Sequence, residues 1–321
     1  MIFQHKKIPL LDKDFKNIKC NILVMGGGRW AVITINELLY NFKNLKNIYI
    51  ITNNKNITNN FSKKFRKKII VQKNLRKMNF GDISHAIVVN KNSDHFSSAK
   101  KLLKNNLNVL VEKPLVRKFS EFKTLKKISQ NKKKLIHISM PFFFTYYFFY
   151  LKKYIDLSFK ELIFNWHDPL NDKRYGKIKK YDPSVNYLED TIYHIYGILN
   201  CLFGPKKMSL ISIKNQKDNG LILFNYGKFK IKLICSRNRK SKRVRSVDIL
   251  SNKKIFSLDY ANDNNINIFK NGVKKKINFK YSQKTLKYQL FNFLNYRKYS
   301  KKYNLNDIRN LDNLFNLLKN F

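Results

Sequence analysis

The stretch from Asn21 to Ala31 constrains this chain more than any other. Asn21-Ile22-Leu23-Val24-Met25 reads as a buried strand, and the apolar spacing from Val32 to Phe42 reads as a helix. Between them lies Gly26-Gly27-Gly28-Arg29-Trp30-Ala31, which fills G-x-G-x-x-A. In a strand, turn, helix unit each small residue has a task. Gly26 makes the tight turn, Gly28 lets a pyrophosphate approach the backbone, and Ala31 keeps the helix against the strand. The helix N-terminus, with Arg29 and Trp30 in its first turn, adds free amide donors and the positive end of the helix dipole.

Further apolar runs continue the pattern at Asn47–Ile51, Lys68–Gln72, Ala86–Val89, Val109–Val111 and Leu135–Ser139. Helical spacing separates several of them, at Phe96–Asn105 and Ser120–Gln130. Such β-α-β alternation predicts a doubly wound parallel sheet. In open parallel sheets ligands bind at the carboxyl ends of the strands. Glu112-Lys113-Pro114 stands at one such end and places a cation there. Thr52-Asn53-Asn54-Lys55 stands at another, without the acid that would hold a ribose 2′-hydroxyl. That basic end, with Arg29 nearby, favours NADP over NAD.

Beyond Pro141 the pattern changes. A strand at Glu161–Trp166 is followed by a polar stretch and then by Tyr187–Phe203, apolar at helical intervals and ended by Gly204-Pro205. Asp190 and His194 are four apart in this helix, so they share a face one turn from each other. A carboxylate so placed orients an imidazole and favours its protonated form. Short alternating runs from Ser209 to Phe269 predict a largely antiparallel sheet, and Ser282–Tyr296 and Asn306–Lys319 predict two closing helices. The expected organisation is an extension at 1–20, a nucleotide-binding domain at 21–140, and an α+β substrate domain at 141–321 that includes the C-terminal helices.

With the glycine turn upstream, the run from Ala86 through His95 and Ala99 to Glu112-Lys113-Pro114-Leu115 resembles the cofactor domain of the glucose-fructose oxidoreductase and inositol dehydrogenase family (Gfo/Idh/MocA). In that family the loop after the fourth strand carries Thr-Pro before an Asn and a His. Here Asn90-Lys91 stand in the Thr-Pro place, while Asn92 and His95 match. The family also carries Asp-x-x-x-His on a helix of its second domain, facing the Lys of Glu-Lys-Pro across the nicotinamide; Asp190, His194 and Lys113 match one by one. The resemblance implies Lys113, Asp190 and His194 as the catalytic set. It implies cofactor contacts from Gly26, Gly28, Arg29, Trp30, Ala31, Thr52, Asn53, Asn90, Asn92, His95, Glu112 and Lys113. Arg174, Tyr175 and Tyr187 fall where a substrate pocket is expected. The expected activity is hydride transfer between NADP or NAD and a hydroxyl or carbonyl carbon of a sugar, an inositol or a related metabolite, in a possible homo-oligomer formed through the second sheet.

Composition adds exclusions. The 66 Lys and Arg against 20 Asp and Glu give a net charge of +46, which raises nucleic acid as a partner. The basic residues are spread over the whole chain, and Lys, Asn, Ile, Phe and Tyr all have A/T-rich codons. The charge is therefore read as the mark of an A+T-rich genome rather than of specific nucleic-acid binding. Cys20, Cys201 and Cys235 lie far apart, in no metal-ligand spacing, which predicts neither disulfides nor a metal site. The most apolar run, Met140–Leu151, is short of the ~20 residues of a spanning helix, and a cytoplasmic protein is expected. The competing readings are an inactive NAD(P)-binding sensor and a nucleic-acid binder.

Overall fold

The computed structural model describes residues 18–76, 78–145, 148, 159–169, 173–174, 177–178, 185–216, 218–239, 242–250, 255–261, 265–270, 273–278, 285–295 and 307–321. They cluster into two compact units. The first lies within Lys7–Phe144 and Lys284–Phe315, and the second mainly within Thr145–Gln283.

The first unit is built on β1 (Asn21–Met25), β2 (Ile48–Ile51), β3 (Ile69–Gln72), β4 (Ile83–Val88), β5 (Asn108–Val111) and β6 (Ile136–Ile138). All are parallel, in the order β3-β2-β1-β4-β5-β6. Ile22, Leu23, Val24, Val88, Val109 and Val111 are fully buried, as strands covered on both faces require. Helices α1 (Arg29–Asn41), α2 (Lys63–Arg66), α3 (His95–Lys104) and α4 (Phe119–Lys132) connect them. The inner stripe of α1 is Ala31, Thr34, Ile35, Leu38 and Leu39, the spacing of one helical face. The strand order reverses direction between β1 and β4, so the crevice at their carboxyl ends is where such a sheet binds ligands.

The C-terminal helices depart from the expected domain plan. Helix α6 (Thr285–Leu294) clusters with the first unit, packing against α1 and the turn Pro141–Phe144. Its apolar residues Leu290, Phe291 and Phe293 are fully buried there, and Gln289 donates to the Ser139 hydroxyl at 2.9 Å. The single helix expected over 306–319 is instead a 3₁₀ turn, Ile308–Asn310, followed by α7 (Asp312–Leu318). Asp307 explains the break. Its backbone is extended (φ −72°, ψ 136°) because it bridges His137 on β6, and its carboxylate caps the turn by accepting from the Arg309 amide.

Asp307 is wholly buried, and burial alone would raise its pKa; interactions with His137 (3.7 Å) and Arg309 (2.7 Å) override this and hold it at about 2. A depressed carboxylate contributes stability that is present above its unfolded value and lost as pH falls through about 2. Asp307→Ala, which strips His137 and Arg309 of their shared partner, is expected to destabilise the first unit by about 2–4 kcal/mol. Urea unfolding at neutral pH measures this, and an unchanged midpoint would refute it.

The second unit carries β7 (Glu161–Pro169), β8 (Lys173–Arg174), β9 (Lys177–Ile178), helix α5 (Tyr187–Phe203), and β10 (Met208–Asn215), β11 (Asn219–Tyr226), β12 (Phe229–Arg239), β13 (Val244–Leu250), β14 (Ile255–Asp259), β15 (Asn265–Lys270) and β16 (Val273–Asn278). Its main sheet runs β10-β11-β12-β7-β13-β14-β15-β16, antiparallel throughout except for the parallel pair β12/β7. The edge strand β16 has no alternation to reveal it: Val273 to Lys276 are all exposed, and lysines on an edge discourage further pairing. Helix α5 starts where Asn186 accepts from the Glu189 amide (2.7 Å) and stops at Gly204, whose φ of 71° ends it. Among the described residues no helix is long and apolar enough to cross a membrane.

Candidate active site

The glycine turn shows three different demands. Gly26 has φ +140°, and a Cβ there would meet the Val89 carbonyl oxygen at 2.6 Å. It is wedged between neighbouring strands, donating to Ile51 O (3.0 Å) while Val89 donates to Met25 O (2.9 Å). A Cβ on Gly27 would lie 1.9 Å from Thr52 Oγ1. Gly28 differs from both: nothing lies within 4 Å of its Cβ position, and as N-cap of α1 it offers no side chain to the first-turn amides. With no acid in that turn, open space and amide donors coincide at one helix N-terminus, which fits a dinucleotide's pyrophosphate. Arg29 is exposed there, Trp30 half-buried, and Ala31 fully buried against the sheet.

The end of β2 supports the same turn. Thr52 Oγ1 accepts from the Asn54 amide (3.0 Å), and the Asn54 side chain donates to Gly27 O (3.1 Å). Asn53 is exposed beside them. Gly27 and Asn54 were missed from sequence, where Gly27 counted as the free position of the motif. The fit of a glycine against a threonine twenty-five residues on has no local signal.

Past β4, Asn90 donates to Ser98 Oγ (2.9 Å), tying its loop to α3, and Asn92 opens a 3₁₀ turn that leads into that helix. His95 stands at the start of that helix. Its ring is fully buried, and Nδ1 donates to the Pro114 carbonyl at 2.7 Å. Burial pushes its pKa down, against the raising effect of the Pro114 and Asn90 carbonyls, so the ring is a neutral staple. It fixes the loop that follows β5. That loop presents Glu112, whose amide donates to Val88 O (2.9 Å), and Lys113, half-buried and joined to Pro114 by a cis peptide. Beside it lies a small pocket lined by residues that include Trp30, Glu112, Ser139 and Gln289. Helix α6 thus supplies part of the wall next to Glu112-Lys113-Pro114, a contribution that the sequence had placed in the other domain.

In the second unit, Asp190 and His194 are half-buried on α5. The helix crosses the sheet over a row of paired residues, Gly220, Cys235, Trp166 and Arg245. A Cβ on Gly220 would meet Leu188 Cβ at 2.7 Å, so glycine there sets how closely α5 seats. One turn and a half later His194 stacks on Trp166, ring centroids 5.1 Å apart and planes 18° from parallel. Burial pushes the Cys235 thiol up to about 12, which makes it an inert neighbour. Tyr187 is buried, with the Arg237 guanidinium carbon 5.8 Å from its ring, and it packs α5. Arg174 lies on the two-residue strand β8, and Tyr175 falls outside the described residues. Among the described residues no group of three His, Cys, Asp or Glu side chains is placed to hold a metal.

Residues 20–140 match the family model described as "Oxidoreductase family, NAD-binding Rossmann fold". This segment belongs to the Gfo/Idh/MocA oxidoreductase family. Residues 20–140 accordingly carry the NAD-binding Rossmann fold of an oxidoreductase family. No curated protein matches it significantly by sequence. Solved structures share the Gfo/Idh/MocA fold over nearly the full length. One is the UDP-N-acetylglucosamine 3-dehydrogenase GnnA from Acidithiobacillus ferrooxidans, at TM-score 0.74 and 14% identity, covering 94% of this chain and 95% of that one. Another is KijD10, a 3-ketoreductase from Actinomadura kijaniata in complex with TDP-benzene and NADP, at 0.73 and 11%, covering 91% and 94%. A third is a dehydrogenase (MviM) from Clostridium difficile, at 0.70 and 16%, covering 95% and 99%.

Proposed function

We propose that the protein is a dehydrogenase or ketoreductase acting on a hydroxyl or carbonyl carbon of a sugar, an inositol or a related small polar metabolite, with Lys113, Asp190 and His194 as its reacting groups. The observation that carries this reading is the open, uncapped N-terminus of α1 at Gly28 in a Gfo/Idh/MocA domain that also presents Lys113 at the end of β5. Two of the fold neighbours are a sugar-nucleotide dehydrogenase and a 3-ketoreductase, which puts nucleotide-linked sugars on the substrate panel.

When bound, the nicotinamide supplies or accepts the hydride. The amides of the glycine turn and the first turn of α1 hold the pyrophosphate, and the loop stapled by His95 fixes where Lys113 stands. His194 gives or takes the proton at the substrate oxygen, since an imidazole titrates near neutral pH. Lys113 hydrogen-bonds to that oxygen and stabilises negative charge developing on it. Asp190, one turn before His194, favours the imidazolium and orients it.

The neutral and basic end of β2, Thr52 to Lys55, favours a 2′-phosphate, so NADPH is expected to bind more tightly than NADH. Fluorescence titration of the intact protein with each nucleotide tests this. Tighter NADH binding would overturn the NADP preference. Binding of neither, with tight sequence-dependent binding of DNA in its place, would favour the nucleic-acid reading drawn from charge.

A further inference from the structure

His194 is one layer of a stack. Its imidazole lies on one side of Trp166, and the Arg245 guanidinium carbon lies 3.8 Å from the Trp166 ring. Arg245 and Trp166 are cross-strand partners on β13 and β7, so backbone pairing puts them side by side. Arg245 is itself held on several sides. It donates to the His167 carbonyl (2.9 Å) and to its neighbour Val244 O (2.8 Å), and it forms an ion pair with Asp168. Asp168 is buried, and Arg243 stands 3.8 Å from the same carboxylate oxygen. His167 shares a hydrogen bond with Ser236 across the strands (2.7 Å), which locks the base of the assembly.

So much buried charge on a sheet is expensive unless every member is paired, and a simple core would use apolar residues in its place. What the charge achieves is rigidity. A guanidinium held by three partners cannot slide, so the indole pressed against it keeps its plane, and the imidazole on it has a fixed platform.

We propose that Trp166, clamped by Arg245 and Asp168, is the positioning residue that sets the ring plane of His194 and tunes its proton affinity. The inference rests on the acid-base role given to His194 above. The indole face attracts an imidazolium and favours protonation, while the Arg245 cation on the same indole opposes protonation. The ionisable groups on the helix that carries His194 are Tyr187, Glu189, Asp190, Tyr193, Tyr196 and Cys201. Those from the packed strands and their ends are Cys235 and Arg237 on β12, His167 and Asp168 on β7, Arg243 and Arg245 at β13, and Tyr260. Trp166 and Arg245 have opposite effects on the imidazole, so their replacement is expected to move the titration in opposite directions.

The test is an NMR titration of the His194 ring in the full-length protein, which needs no substrate. In Trp166→Leu the His194 ring protons should lose the upfield shift that a stacked indole imposes, and the midpoint should fall by roughly half a unit. Trp166→Phe should retain most of both, since it keeps a π face. Arg245→Gln should raise the midpoint by a similar amount, an independent readout if the Leu variant fails to fold. Ring shifts and midpoint unmoved in folded Trp166→Leu, or a midpoint moved the same way by both replacements, would overturn the proposal. Its failure is separable from failure of the acid-base role: that role falls if His194→Asn turns over normally, whatever the ring of His194 reports.

Discussion

His194→Asn and Lys113→Met are each expected to lower turnover by about 10²–10⁴-fold while the NADPH dissociation constant stays within a few-fold of wild type. The two losses arise differently. Asparagine preserves the size and polarity of the ring but has no group that titrates near neutral pH, so the proton at the substrate oxygen has no carrier. Methionine preserves the reach of lysine but removes the cation that stabilises charge on that oxygen. Because both contributions are made chiefly in the transition state, kcat and kcat/KM should fall together. Nucleotide affinity should be spared, since the site proposed for the pyrophosphate, at Gly28 and the first turn of α1, is on another strand end from Lys113 and in another unit from His194. Asp190→Asn should fall between wild type and His194→Asn. Normal turnover in both the Lys113 and His194 variants would end the catalytic assignment.

Gly26→Ala and Gly28→Ala are expected to fail in different ways, although both sit in one motif. A methyl at Gly26 would meet Val89 O at 2.6 Å, Val89 C at 2.8 Å and Asn90 N at 3.0 Å. All three are backbone atoms at the end of β4, and moving them breaks the 2.9 Å bond from Val89 to Met25. Its φ of +140° is moreover one that alanine rarely adopts. Together these should destabilise the first unit by about 3 kcal/mol or more. A methyl at Gly28 meets nothing within 4 Å. Stability should therefore change by less than about 1 kcal/mol, while NADPH affinity falls by about tenfold or more, since the methyl occupies space kept for phosphate. Thermal unfolding paired with nucleotide titration separates the two. A Gly26→Ala protein as stable as wild type would contradict the geometry.

The contrast shows what was legible in the sequence. The parallel sheet could be read because its strands are near-continuous apolar runs punctuated by glycine, asparagine and proline. The helix over Tyr187–Phe203 could be read to the residue because Asn186 and Gly204 mark its ends. Long-range matching was not legible. Nothing local announces that Gly27 must be glycine because of Thr52, that Gly220 seats α5 through Leu188, or that Trp166 packs against both an imidazole and a guanidinium. The His95 hydrogen bond to Pro114 O was equally illegible, because a motif gives order along the chain and not the direction of a side chain. The C-terminal helices misled for a related reason. An apolar stripe says that a helix is buried, not against what, and α6 buries its stripe on the first unit.

The most direct test of the whole reading is substrate-dependent oxidation of NADPH by the purified full-length protein, across a panel of keto sugars, inosose-type ketones and nucleotide-linked keto sugars. The account predicts that at least one carbonyl compound drives loss of NADPH absorbance in the wild type, and that the rate collapses in His194→Asn. Tight NADPH binding with no oxidation by any compound, and no reduction of NADP by the corresponding alcohols, would contradict it and leave a nucleotide-binding protein without hydride chemistry.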